Sequence, residues 1–265
     1  AEYDLALAAD RGKKLRYGEN PHQSAALLVG VVNTGVAASR IIQGKEMSFN
    51  NYLDLDAAWK IAMDHLNSAV IVKHGIPTGV ASSQNSHDAY VRAIASDPIS
   101  AFGGVLAFNC EVDARCAEEI SGRFTEVVAA PAFSQAALEI FSRKPNTRIV
   151  VIAPNSQPSW EFASIDGGFL AQEEDALRND RDLAISWNLV AGESVTPELF
   201  SDLEFAWKVV ARTRSNSIVI ARSGATIGIG AGNVNRLDAA STAVHRAQSH
   251  QPALLKGSVA ASDAF

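Results

Sequence analysis

An α/β fold, with a mainly parallel sheet covered by helices, is what this sequence predicts. Three observations carry that reading. Short apolar, β-branched runs alternate with segments whose apolar residues recur at helical spacing. The helical segments are long enough to serve as crossovers between strands. A chain of 265 residues, 47% hydrophobic and 20% charged, has the composition of a globular protein with a sizeable core.

The elements follow in order. Ala25–Gly30 and Ser39–Gln43 are early strands. Over Leu53–Asn67, Leu55, Ala58, Trp59, Ala62, Met63 and Leu66 fall on one helical face. Ser68–Val72 is a β-branched run that stops at Lys73-His74-Gly75-Ile76-Pro77. Ser86–Ser96 reads as a helix, Gly104–Asn109 as a strand and Ala114–Arg123 as a helix. Glu126–Ala130, Ser134–Arg143 and Arg148–Ala153 continue the pattern as strand, helix and strand. Residues 154–196 are rich in Pro, Ser, Asn, Asp and Glu, and read as a connecting region. Thr196 and Pro197 are N-cap and first-turn residues for a helix over Pro197–Arg212. Two strands, Ser217–Ala221 and Ala225–Ile229, meet at Ser223-Gly224; a helix over Asp238–Ser249 follows. A last small-residue, apolar run ends at Ala264-Phe265, which implies a domain extending further than this sequence.

Several function classes are set aside. A net charge of −6 argues against a dedicated nucleic-acid surface, although it leaves room for a local basic pocket. No apolar stretch approaches the ~18–20 residues of a membrane helix, and Ala1 to Lys14 lacks a signal-peptide core, so a cytoplasmic location is the default expectation. Cys110 and Cys116 suggest no disulfide framework. No metal site is expected: CxxC and HExxH are absent, as are the His-x-Glu and Pro-Cys-x-x-Cys of zinc deaminases. Nor is there a G-x-S-x-G elbow.

Four polar constellations remain. Lys73-His74 at a strand end is placed at the carboxyl edge of a sheet, where open α/β sheets bind ligands. There an imidazole can take a proton and an ammonium can stabilise negative charge. In Arg16-Tyr17-Gly18-Glu19-Asn20-Pro21-His22-Gln23, the arginine offers a fork for phosphate and the tyrosine a surface for a base; the alternative is a loop packing on its own domain. Ser100-Ala101-Phe102-Gly103-Gly104 lets backbone approach a ligand beneath an aromatic ring, or is simply a tight turn. Gly228-Ile229-Gly230-Ala231-Gly232 lacks the third glycine of a dinucleotide fingerprint and reads better as a turn delivering Arg236; Thr213-Arg214-Ser215-Asn216-Ser217 is a second polar hinge.

Taken together and in order, RYGENPHQ, QGKEMSFNNYLDLDAAW, VIVKH-x-x-P-x-G, DPISAFGG, FTEVV-x-AP, RSNSIVIA, GIGAGNVNR and ASDAF resemble the AICAR transformylase/IMP cyclohydrolase family, on its transformylase side, from Leu15 to Phe265. The resemblance implies two cytidine deaminase-like α/β/α lobes without zinc. Residues 1–14 would be a leader following an absent upstream domain, and 15–153 the first lobe. Residues 154–196 would connect to a second lobe over 197–265, incomplete at its C-terminus. It implies transfer of a formyl group from the co-substrate 10-formyltetrahydrofolate to the 5-amino group of AICAR, with no cyclohydrolase activity from this segment. By the same resemblance His74 is the base and Lys73 the oxyanion stabiliser. Arg16, Tyr17, Phe102, Gly103, Glu126, Asn216 and Arg236 bind AICAR, and Leu237 and Phe265 lie on the folate side. A homodimer with shared active sites is implied, as is a monovalent cation (K+) near Ser215, Ser217 and Asp263. The family's KHANPCG reads KHGIPTG here, with Gly75, Ile76 and Thr78 in place of Ala, Asn and Cys. The competing reading is a nucleotide-binding homologue without chemistry.

Overall fold

A computed structural model describes residues 9–30, 34–154, 160–177 and 182–263. In chain order the strands are β1 (Ala9–Leu15), β2 (Ala25–Gly30), β3 (Arg40–Gln43), β4 (Ser68–Lys73), β5 (Ile76–Ser82), β6 (Val105–Phe108), β7 (Val127–Ala130), β8 (Arg148–Val151), β9 (Trp160–Ile165), β10 (Gly168–Glu173), β11 (Ile218–Arg222), β12 (Ala225–Gly230) and β13 (Val259–Ser262). The helices are α1 (Phe49–Met63), α2 (Ser86–Ile94), α3 (Ala114–Ser121), α4 (Gln135–Ser142), α5 (Pro197–Ala211), α6 (Arg236–His250) and α7 (Pro252–Leu255).

Helix starts are fixed by short polar side chains. Asn85, Asp113, Ser134, Thr196 and Asn235 each accept a hydrogen bond from a first-turn N–H, and Ser48 forms a reciprocal capping box with Asn51. Nine strands form one sheet in the order β13-β11-β12-β5-β4-β6-β7-β8-β3. Alternate residues of its strands feed two faces. Val70, Val72, Val105, Ala107, Val127 and Ala129 pack with α1 and α5. Ala69, Ile71, Leu106, Phe108, Val128 and Ala130 pack with α2, α3 and α4. Burial on both faces is why these strands read as continuous apolar runs.

The expected mainly parallel sheet is corrected. Only β6–β7 and β7–β8 run parallel; the other neighbouring pairs are antiparallel. The reason lies in two hairpins whose turns look, in the sequence alone, like a strand end and a simple turn. His74-Gly75 (φ 54° and 71°) joins β4 to β5, and Ser223-Gly224 (φ 53° and 71°) joins β11 to β12. Positive φ at both central residues is the turn whose twist suits an antiparallel hairpin, and it leaves no room for a crossover. Pro77 disguised β5, because proline cannot donate to a ladder; it pairs with Val72 at a register shift. The segment 154–196, expected to be only a connection, contains a separate antiparallel hairpin, β9–β10.

The fold also exposes an internal duplication. Helix, hairpin and helix (α1-β4-β5-α2) recur as α5-β11-β12-α6. Asp-Leu-Asp-Ala-Ala-Trp-Lys at 54–60 is answered by Asp-Leu-Glu-Phe-Ala-Trp-Lys at 202–208. Asn85 and Asp88 cap α2 as Asn235 and Asp238 cap α6. The copies meet where β5 pairs with β12 at Ala81 and Ala225, and the Thr226 hydroxyl sits 3.0 Å from the Val80 N–H. Because β5 and β12 are antiparallel, the two hairpin turns lie at opposite edges of the sheet. The Ser223-Gly224 turn abuts Ser82, whose N–H donates to Gly224 O at 2.9 Å.

Candidate functional site

Strand register gathers the candidate residues along one sheet edge. Val72 pairs with Val105, Val105 with Val127, and Val127 with Arg148. The Lys73-His74 turn, the Phe102-Gly103 loop, Glu126 and Arg148 therefore occupy neighbouring strand ends. On the other side of the hairpin, Ile218 pairs with both Gly230 and Ser262. That brings Asn216, the loop leading to Arg236, and Asp263 to the same edge. A Cβ placed on Gly232 would lie 3.7 Å from Ile76 Cδ1, so this loop rests against the hairpin. The edge corrects the simple expectation of strand carboxyl ends: β4, β12 and β13 contribute theirs, whereas β5, β6, β7, β8 and β11 contribute amino ends.

At the centre stands the turn. His74 occupies left-handed backbone space, which costs a non-glycine residue roughly 1–2 kcal/mol. Asp54, from the first half of α1, offsets this by accepting from the His74 N–H at 3.2 Å and the Gly75 N–H at 2.6 Å. Lys73 Nζ donates to Phe102 O at 2.6 Å, which leaves two of its ammonium protons for another acceptor. Phe102 is 63% exposed and packs on Phe124, with ring centroids 5.3 Å apart. Gly103 (φ 70°) donates its N–H to Phe124 O at 2.9 Å; a Cβ there would press on the Phe124 ring at 3.1 Å. Glu126 donates its N–H to Gly104 O at 3.1 Å, and its carboxylate pairs with Arg148 at 2.7 Å.

The second cluster centres on Asp263. Burial pushes its carboxyl up, but hydrogen bonds from the Ser215 hydroxyl, the Ser217 N–H and Arg236 outweigh this and hold it at about 2. Arg236 pairs with Asp263 and donates to the Ser262 hydroxyl at 2.7 Å. Asn216 Nδ2 donates to Asn233 O at 3.0 Å, tying the polar hinge to the loop before α6. Leu237, beside Arg236, is 79% exposed. Phe265 lies outside the described residues.

Arg16 and Tyr17 belong to the loop closing the β1–β2 hairpin, where the guanidinium lies 5.5 Å from the Tyr17 ring centroid. Gly18 N–H to Gln23 O at 2.9 Å closes the loop. Among the described residues neither side chain forms a hydrogen bond or ion pair with Lys73 or His74. The link to the edge is indirect: Lys13 Nζ is 3.5 Å from Glu46, and Arg148 Nε donates to Glu46 O at 3.1 Å. The edge thus presents an imidazole, an ammonium, two arginines (Arg148 and Arg236) and the exposed Phe102 ring, a set suited to an anionic, planar ligand and to proton transfer.

Comparison with known proteins agrees with the ordered motifs. The family model described as "AICARFT/IMPCHase bienzyme" matches residues 1–246. The chain belongs to the AICARFT/IMPCHase bienzyme family. Two curated relatives, both named bifunctional purine biosynthesis protein PurH, come from Corynebacterium glutamicum strain R and strain ATCC 13032. The first is 48% identical over 255 residues and the second 49% over 256, each across 96% of this chain and 48% of the relative. The chain therefore spans about half the length of these AICARFT/IMPCHase relatives.

Asp54 and Arg148 were not among the sequence candidates. The repeated Asp-Leu-x-x-Ala-Trp-Lys could have drawn attention to Asp54, since a duplicated acid beneath two hairpins marks a shared structural device. Arg148 carries no local signal; only the β7–β8 pairing brings it to Glu126.

Proposed function

We propose that this chain is the formyl-transferring part of a bifunctional purine biosynthesis enzyme. It would move a formyl group from 10-formyltetrahydrofolate to the 5-amino group of AICAR. The observation that carries the proposal is the Lys73-His74 turn, joined at one sheet edge to the Phe102-Gly103 loop and the loop bearing Arg236. The AICAR amine is a poor nucleophile, because its lone pair delocalises into the imidazole carboxamide. As its nitrogen bonds to the formyl carbon, His74 takes the proton and the two free Lys73 donors meet the developing oxyanion. Collapse breaks the bond to folate N10, and the proton returns to that leaving nitrogen.

Arg16, Tyr17, Phe102, Gly103, Glu126, Asn216 and Arg236 are the proposed AICAR-binding residues. Leu237 and Phe265 are proposed for the folate side, in two lobes that complete their sites within a homodimer. Glu126 is oriented by Arg148 and Arg236 by Asp263, so each would meet the nucleotide from a fixed position. A monovalent cation near Ser215, Ser217 and Asp263 fits poorly, because the Asp263 charge is already met by Arg236 and two further donors. No step is assigned to it. The test is turnover of AICAR with 10-formyltetrahydrofolate by the complete protein, with formyl-AICAR as the expected product. Binding of both ligands without product would favour the second reading, a nucleotide-binding homologue. The observation behind that alternative is Ile76, an apolar residue facing the Gly232 loop (3.7 Å from a Cβ placed on Gly232) at a position where the resemblance expects an amide.

A further inference from the structure

We propose that Asp54 is a positioning residue for His74, acting through the backbone of the turn. This rests on the reading of His74 as the base. Asp54 spreads one carboxylate over two consecutive N–H groups, those of His74 and Gly75. A two-residue turn with positive φ at both positions suits Asn-Gly best; here a histidine takes the first position, in left-handed space that few non-glycine residues occupy. The carboxylate therefore fixes where the imidazole leaves the backbone. Asp54 is itself held rigidly: one turn behind it stands the Ser48–Asn51 capping box, and the next residues, Leu55, Ala58 and Trp59, are buried in the core.

The duplication supplies an internal control. Asp202, the sixth residue of α5 as Asp54 is of α1, accepts from the Ser223 and Gly224 N–H groups at 2.7 Å each. That turn has the same backbone geometry, with φ 53° and 71°, but carries a serine and lies at the opposite edge. One acid therefore braces a turn bearing the proposed base, and its twin braces a turn without one. If Asp54 only stabilises a hairpin, the two acids are equivalent. If it positions His74, they differ in turnover and not in stability.

The experiment compares Asp54→Asn, Asp54→Glu and Asp202→Asn in the complete protein, with AICAR and 10-formyltetrahydrofolate as substrates. Asp54→Asn lowers kcat about 10²-fold, the scale of an ångström-sized misplacement, and leaves KM for AICAR within about threefold. Asp54→Glu, which keeps a carboxylate, recovers part of kcat. Asp202→Asn melts at a temperature as low as Asp54→Asn but keeps kcat within about twofold of the parent. Equal effects of Asp54→Asn and Asp202→Asn on kcat would overturn the proposal, as would no recovery in Asp54→Glu relative to Asp54→Asn. If the parent protein forms no formyl-AICAR, the formyl-transfer reading fails. The positioning is then judged by NMR relaxation of the His74 ring: increased ring mobility in Asp54→Asn and not in Asp202→Asn supports it, and unchanged mobility overturns it.

Discussion

Gly79 sits in the middle of β5 where α2 crosses the sheet, and replacing it with alanine puts a number on how closely helix and hairpin are joined. A Cβ on Gly79 would stand 1.9 Å from Ala93 O and 2.8 Å from its carbonyl carbon. An ordinary carbon–oxygen contact needs ~3.3 Å, so α2 must retreat by about 1.4 Å. The obstacle is helix backbone, which cannot swing aside as a side chain would. Retreat also loosens Ala89, Tyr90, Ala93 and Ile94, all buried against the sheet, and a gap of ~1 Å forfeits up to half of each contact's attraction. Overpacking ordinarily costs ~1–3 kcal/mol, and this case belongs at the upper end. At ~2–4 °C per kcal/mol for a chain of this size, Tm falls by roughly 6–12 °C. Gly75→Ala is the matched comparison: nothing lies within 4 Å of its Cβ, so only the strain at φ 71° remains, worth ~1–2 kcal/mol. Thermal unfolding followed by circular dichroism on both variants decides the point. A Gly79→Ala shift no larger than that of Gly75→Ala would refute the close approach of α2 to β5.

Other expectations follow from the same contacts. His65 packs on Phe205 with its Nε2 buried and without a hydrogen-bond partner among the described residues; burial, with Lys208 nearby, pushes its pKa down to about 3. The unfolded chain takes up that proton near pH 6.5 and the folded chain does not, so stability falls as pH drops from about 6.5 towards 3, by up to ~1.4 kcal/mol per pH unit. Urea unfolding at a series of pH values should show this slope flattened in His65→Leu; an unchanged slope would place the titration elsewhere. Asp263, depressed to about 2, adds stability above its unfolded pKa of 3.8 that is lost as pH falls towards 2. Asp263→Asn should therefore narrow its stability difference from the parent between pH 4 and pH 2. Arg148→Met leaves Glu126 without its partner and should cost ~1.5–3 kcal/mol, the scale of a charge-assisted hydrogen bond; a variant as stable as the parent would show that the pair contributes nothing.

Much of the fold could be read along the chain, because its strands are buried on both faces and its helices carry clear caps. Thr196-Pro197 opens α5 where expected, and Ala25–Gly30 is β2 residue for residue. Strand direction could not be read. It depends on whether Gly75 and Gly224 close two-residue turns, and Pro77 masks the strand that follows the first of them. The β9–β10 hairpin was hidden because its residues are mostly exposed and carry no apolar alternation. At the candidate site Lys73, His74 and Arg236 announced themselves by type and by neighbouring glycines. Asp54 did not, since an acid on an exposed helical turn looks solvated until the hairpin is placed above it.

The proposed roles of His74 and Lys73 in formyl transfer are tested most directly by the single-turnover rate of formyl-AICAR formation by the complete protein and by His74→Ala and Lys73→Met. The parent should form product, and His74→Ala should lose roughly 10²–10⁴-fold, as for removal of a general base, with AICAR still bound and Tm unchanged within a few degrees. A loss smaller than about tenfold in a folded, ligand-binding His74→Ala protein would contradict the assignment and move the base elsewhere on this edge.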